Sequence, residues 1–152
     1  MIDLKKEIHD RCLQLLDARI TIGQNELSDL DNALRLETKS SMGDKYETSR
    51  ELIQQEKDKA SQQVGIAVSM KNELIKLDPF QKKNSPELGS LVITDKGNFY
   101  LSVGLGQILI EDQKQPFYAI SPVSPIGQLL TAARVGEVIT FNENSYEIQQ
   151  VL

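Results

Sequence analysis

The sequence predicts an α+β protein: an antiparallel helical hairpin of coiled-coil type, followed by a small antiparallel sheet domain with one helix. Three observations carry that prediction. Residues 1–78 contain no proline and only three of the nine glycines, and they are rich in Glu, Gln, Lys, Leu and Asp, the composition of long helices. Residues 79–152 hold all five prolines, the other six glycines and most of the Val, Tyr and Phe in short alternating stretches, which read as strands. The change falls at Leu77-Asp78-Pro79-Phe80, where Pro79 lacks an N–H and clashes with the preceding turn, so a helix ends there.

The first half can be laid out as two helices folded back on each other. Ile8, Cys12, Leu16, Ile20, Gly23, Leu27 and Leu34 recur at helical spacing, and so do Ile53, Ala60, Val64, Ala67, Met70, Leu74 and Leu77. Facing residues of an antiparallel pair have position numbers with a nearly constant sum. Leu34 with Ile53, Leu27 with Ala60, Gly23 with Val64 and Ile20 with Ala67 satisfy this, and the centre of the pattern puts the tip at 42–44. Gly43 suits a turn because it reaches positive φ without a Cβ penalty, and Ser40 and Ser41 favour local hydrogen bonds over helix. From Ile8 to the tip is about 35 residues, or roughly 50 Å at helical rise, so a thin rod is expected. Gly23 and Gly65 fall at one level of the seam, where small residues fit a close approach.

Residues 79–87 read as a linker and 88–152 as the sheet domain. Strands are expected at 88–94 and 99–103 around the turn Asp95-Lys96-Gly97-Asn98, then at 108–110 and 117–120. Ser124 followed by Pro125 marks a helix start, because serine caps exposed N–H groups and proline tolerates the first helical position. That helix carries Ile126, Leu129, Leu130 and Ala133, and a closing hairpin spans 138–141 and 146–151.

Composition excludes several functions. Seventeen basic residues against 22 acidic ones give net charge −5, which argues against nonspecific binding to nucleic acid. One Cys and one His leave little material for a zinc site or for Cys/His nucleophilic catalysis, so any chemistry rests on carboxylates, hydroxyls or backbone. No apolar run approaches the roughly 20 residues that cross a bilayer, so no membrane association is expected and the chain is assigned to a reducing cytoplasm.

Asp44 and Glu47 are the sharpest candidates. At i and i+3 they share a helix face, where two carboxylates can hold a hard divalent cation, although Asp-x-x-Glu is equally a helix-start capping pattern. Tyr46 beside them is an aromatic on a turn, offering either a partner contact or staple packing. His9, among charged neighbours, reads as solvated, and Cys12, on the apolar stripe, as a small buried side chain. Gly104-Leu105-Gly106 lacks the third glycine of a dinucleotide loop. The segment Ser121-Pro122-Val123-Ser124-Pro125-Ile126-Gly127 is a preset loop into a capped helix, and such rigidity suits docking.

Taken together, Leu88-Gly89-Ser90, Ile120 through Gly127, Val135-Gly136-Glu137 and Tyr146-Glu147-Ile148 resemble, in order, the C-terminal domain of the Gre transcript-cleavage factors of bacterial RNA polymerase. Gly43-Asp44-Lys45-Tyr46-Glu47-Thr48 resembles that family's hairpin tip of Gly-Asp, two residues, then Glu-Asn, with Tyr46 and Thr48 standing where small and amide residues are usual. The resemblance implies a hairpin that enters the polymerase secondary channel and an FKBP-like domain that docks at its rim through Ser121, Pro122, Ser124, Pro125, Ile126 and Gly127. It further implies that Asp44 and Glu47 help hold a magnesium ion in the polymerase active site, so that the nascent RNA 3′ end is touched only indirectly. On this reading the chain is a monomeric accessory that stimulates the polymerase's own nuclease and is not itself an enzyme. Two alternatives stand beside it: a channel-binding regulator of initiation or pausing that does not cut RNA, and, from another class, an FKBP-like peptide-binding module.

Overall fold

The computed structural model describes residues 2–39 and 43–152, and of residues 2, 37–39 and 43–47 the backbone alone. Helix α1 spans Ile2–Lys39 and helix α2 spans Gly43–Ile75. The chain forms two compact units, Leu15–Lys71 and a second made of residues 1–14 with Asn72–Leu152.

Within Leu15–Lys71 the two helices form the expected hairpin. Leu16, Ala60 and Ala67 are buried, and Ile20, Leu27, Leu34, Ile53, Val64 and Met70 are half-buried, so the stripe read from spacing is the stripe that packs. Gly23 is buried against Val64, the partner that the register assigns to it. Ion pairs Asp17–Lys71 and Asp31–Lys57 cross the seam at two levels; half-exposed pairs of this kind add about 0–1 kcal/mol each and chiefly fix register. Gly65, expected to share the seam with Gly23, instead faces solvent, with nothing within 4 Å of an added Cβ. The expected turn at 42–44 meets the structure only in part. Gly43 and Asp44 are the first residues of α2, and Met42, with Ser40 and Ser41, lies outside the described residues. An acidic residue in a first helical turn faces the positive end of the helix dipole, which favours starting α2 there.

The second unit is built on a six-stranded sheet. Its strands are β1 (Leu91–Thr94), β2 (Asn98–Leu101), β3 (Gly106–Ile108), β4 (Phe117–Ile120), β5 (Val138–Phe141) and β6 (Asn144–Val151), with α3 (Pro125–Thr131) between β4 and β5. The spatial order is β3-β4-β2-β1-β6-β5. The sheet is antiparallel as expected except at one pair, where β2 and β4 run parallel from Asn98↔Phe117 to Leu101↔Ile120. The chain leaves β2, forms β3 one position out, and turns back antiparallel as β4 into the gap, which restores the direction of β2. The first strand also begins at Leu91 rather than at residue 88.

The closing hairpin turns on Asn142 and Glu143. Phe141 pairs with Asn144, and both turn residues have positive φ, the primed-turn geometry that matches strand twist. Val92, Phe99, Leu101, Leu130, Ala133, Ile139, Ile148 and Val151 form a core beneath α3, with Tyr118, Ile120, Ile126 and Tyr146 packed against it. Strand alternation turns Leu91 and Tyr100 to the opposite side, so the central strands β1 and β2 are covered almost completely.

Candidate functional site

The loop between β4 and α3 is fixed by its own side chains. Ser124 adopts extended φ/ψ, and its Oγ accepts from Gly127 N–H at 3.1 Å while donating to the Ser121 carbonyl at 2.6 Å. The Ser121 hydroxyl in turn accepts from Val123 N–H at 3.3 Å, and Pro125 occupies the first helical turn. A Cβ on residue 127 would lie 2.1 Å from the Ser121 carbonyl oxygen and 2.9 Å from the Pro122 backbone, so only glycine lets the helix start this close to the loop.

This geometry divides the six candidate docking residues. Ser124 and Gly127 hold the loop together, and Gly127 is buried, while Ile126 packs toward the core. Pro125 is exposed, and Ser121 and Pro122 are half-buried. Val123 is the loop's exposed large apolar side chain, at 77%, a residue that reading the motif for its serines and prolines passes over. Gln128 Nε2 donates to the Val123 carbonyl at 3.0 Å and holds that apex in place.

Asp44 and Glu47 both lie in the first two turns of α2, three residues apart, and a helix puts such a pair on one face. Their side chains, and that of Tyr46, lie outside the described residues. Two hard oxygen donors suit magnesium chemically but fill only part of an octahedral shell. Among the described residues no cluster of three His, Cys, Asp or Glu side chains could hold a metal ion.

One polar cluster escaped the sequence reading. His9, expected to be solvated, is buried, and its Nδ1 is hydrogen-bonded to the Tyr100 hydroxyl at 2.7 Å. Lys5 is buried as well, and its Nζ donates to the carbonyls of Gln81 at 2.8 Å and Leu152 at 3.2 Å. Burial depresses the pKa of both, with neighbouring Asp10 opposing the shift at His9 and Lys83 adding to it at Lys5. Burial also pushes the Cys12 thiol up to about 12 and raises the Tyr100 phenol. A thiol that stays protonated is a poor nucleophile, and the hydrogen bonds of His9 and Lys5 fasten the first turns of α1 to the sheet domain. A signal was present: Lys5, Ile8, His9, Cys12 and Leu16 follow i, i+3, i+4 spacing, wider than the apolar stripe alone.

Phe99, buried in the core, stacks on Tyr118 with ring centroids 5.5 Å apart and meets Tyr146 edge-on at 5.4 Å, and both tyrosines are half-buried against that core.

No protein-family model matches the chain, and no curated protein matches it. Among solved structures it is similar to that of the transcription factor Gfh1, with 17% identity over 95% of this chain and 92% of that chain and a TM-score of 0.33. Among the described residues no helix is long and apolar enough to cross a membrane.

Proposed function

We propose that this chain is a transcription accessory that binds a bacterial RNA polymerase at its secondary channel and rim. There it stimulates the polymerase's own nuclease to cut backtracked nascent RNA. The observation that carries the reading is the placement of Asp44 and Glu47 in the first two turns of α2. The hairpin supplies a register-locked support for that end, and the loop from Ser121 to Gly127 supplies a preset docking surface led by Val123 and Pro125. A preset loop loses little entropy when bound.

Asp44 and Glu47 would serve as this chain's ligands to a magnesium ion shared with the polymerase. Such an ion lowers the pKa of a bound water and orients it for in-line attack. The chain's own part is delivery: it brings two carboxylates to a centre that it does not contain.

Tyr46 and Thr48 favour a second reading, occupancy of the channel without cutting, because they change the groups that flank the carboxylates. One experiment separates the two. Purified stalled elongation complexes are mixed with the protein and the RNA is resolved by length. Shortened RNA, lost in Asp44→Asn with Glu47→Gln while polymerase binding persists, is the expected result. Binding without shortening by the wild-type chain selects the second reading, and absence of polymerase binding overturns both.

A further inference from the structure

The outer face of the hairpin carries a pattern that its fold does not use. Ile22 and Leu36 on α1 are 67% and 68% exposed, and Leu52 and Ile66 on α2 are 57% and 45% exposed. Within each helix the two apolar residues are two heptads apart, with a charge midway between them, Asp29 on α1 and Lys59 on α2. Counting five residues from the ion pair Asp17–Lys71 puts Ile22 level with Ile66. The same step from Asp31–Lys57 puts Leu36 level with Leu52, and a step of two the other way puts Asp29 level with Lys59. Ile22, Ile66 and Met70 line one shallow groove, so the two rows share a face. Neither Asp29 nor Lys59 forms an ion pair among the described residues.

We propose that this face is a self-association surface whose occupant is the same face of a second copy, related by a two-fold axis running along the hairpin. That symmetry sets α1 of one copy against α2 of the other. Ile22 then meets Ile66 of the second copy, Leu36 meets its Leu52, and Asp29 meets its Lys59, each contact occurring twice. The charges choose this arrangement. The opposite, antiparallel pairing sets α1 on α1 and brings Asp29 onto Asp29 and Lys59 onto Lys59, a juxtaposition that costs affinity. Four apolar side chains per copy make a narrow interface, well short of the roughly 2,000 Å² and more of permanent dimers, so association is weak and reversible.

Sedimentation equilibrium of the full chain tests the proposal. A monomer–dimer equilibrium with a Kd between about 10 μM and about 1 mM is expected. Ile22→Gln with Ile66→Gln abolishes it, leaving the far-ultraviolet circular dichroism and melting temperature unchanged because both side chains are exposed. Asp29→Lys alone and Lys59→Asp alone each weaken it at least about tenfold, and the two together restore it to within about threefold. A monomer throughout that concentration range overturns the proposal. So does a dimer indifferent to the single charge changes or not restored by the double change. Loss of polymerase binding in the Ile22→Gln, Ile66→Gln protein while the wild type stays monomeric assigns the face to the polymerase and likewise overturns it.

Discussion

Alanine at Gly65 should stabilise the chain and alanine at Gly23 should not, although both glycines sit in the middle of helices where glycine costs about 1 kcal/mol relative to alanine. At Gly65 nothing lies within 4 Å of the added Cβ, so Gly65→Ala should gain most of that amount, about 0.5–1 kcal/mol. At Gly23 the Cβ would fall 2.3 Å from Val64 Cγ2, more than 1 Å inside ordinary contact. Valine is stiff at χ1, so relief requires an off-rotamer Val64 or a parting of the helices, at about 1–3 kcal/mol. Set against the helix-propensity gain, Gly23→Ala should be neutral to destabilising by about 2 kcal/mol. Thermal unfolding followed at 222 nm should therefore put Gly65→Ala about 2–4 °C above wild type and Gly23→Ala at or several degrees below it. Adding Val64→Ala to Gly23→Ala removes the colliding methyl, and the pair should be more stable than the sum of the single changes. Equal stabilisation by the two glycine replacements would refute the close approach at Gly23, and with it the register of the hairpin.

Two further outcomes follow from the sheet unit. His9 is held neutral by burial, with a pKa below its ordinary value of 6.5, so the unfolded chain binds more protons as pH falls through that value and stability should decline from about pH 7 toward pH 5. The urea midpoint measured across that window should slope in wild type and flatten in His9→Gln; parallel slopes would remove His9 as the cause. Gly127→Ala forces a Cβ onto the Ser121 carbonyl and the Pro122 backbone, neither of which can swing aside, and should cost about 2–4 kcal/mol. Amide exchange should then accelerate through α3 and the loop before it, and unchanged protection there would contradict the packing described.

The hairpin was legible because its determinants are local. Long proline-free stretches of helix formers give the helices, and a stripe of small and apolar residues gives the seam, so that Gly23 could be paired with Val64 from numbering alone. The loop into α3 was legible for the same reason, since Ser124 and Pro125 act within a single turn. The parallel pairing of β2 with β4 was not, because strands of three or four residues have the same alternation whichever neighbour they find. His9 was misread for a related cause: its sequence neighbours are charged, whereas the group that buries it, Tyr100, lies 91 residues away. Lys5 was hidden in the same way, since a lysine gives no sign in sequence that two backbone carbonyls will receive it. The candidate site is legible only as a spacing, Asp44 with Glu47, for which the backbone supplies a shared helical turn.

On the proposed function, self-association and channel docking would draw on the same two helices and therefore compete. A hairpin whose outer face is covered by a second copy presents four helices where one copy presents two, so a passage that admits the single hairpin excludes the pair. Because a dimer of this strength dissociates freely, the consequence is quantitative rather than absolute: a partner that binds only the single copy draws the equilibrium toward it by mass action. The two exposed apolar pairs then carry a cost and a use together. On the proposed dimer they would hold the hairpin in reserve at high local concentration, and their weakness, set by only four side chains per copy, would keep that reserve available to a tighter partner. A broader apolar face would lock the pair, and a fully polar one would leave the charges Asp29 and Lys59 with nothing to orient.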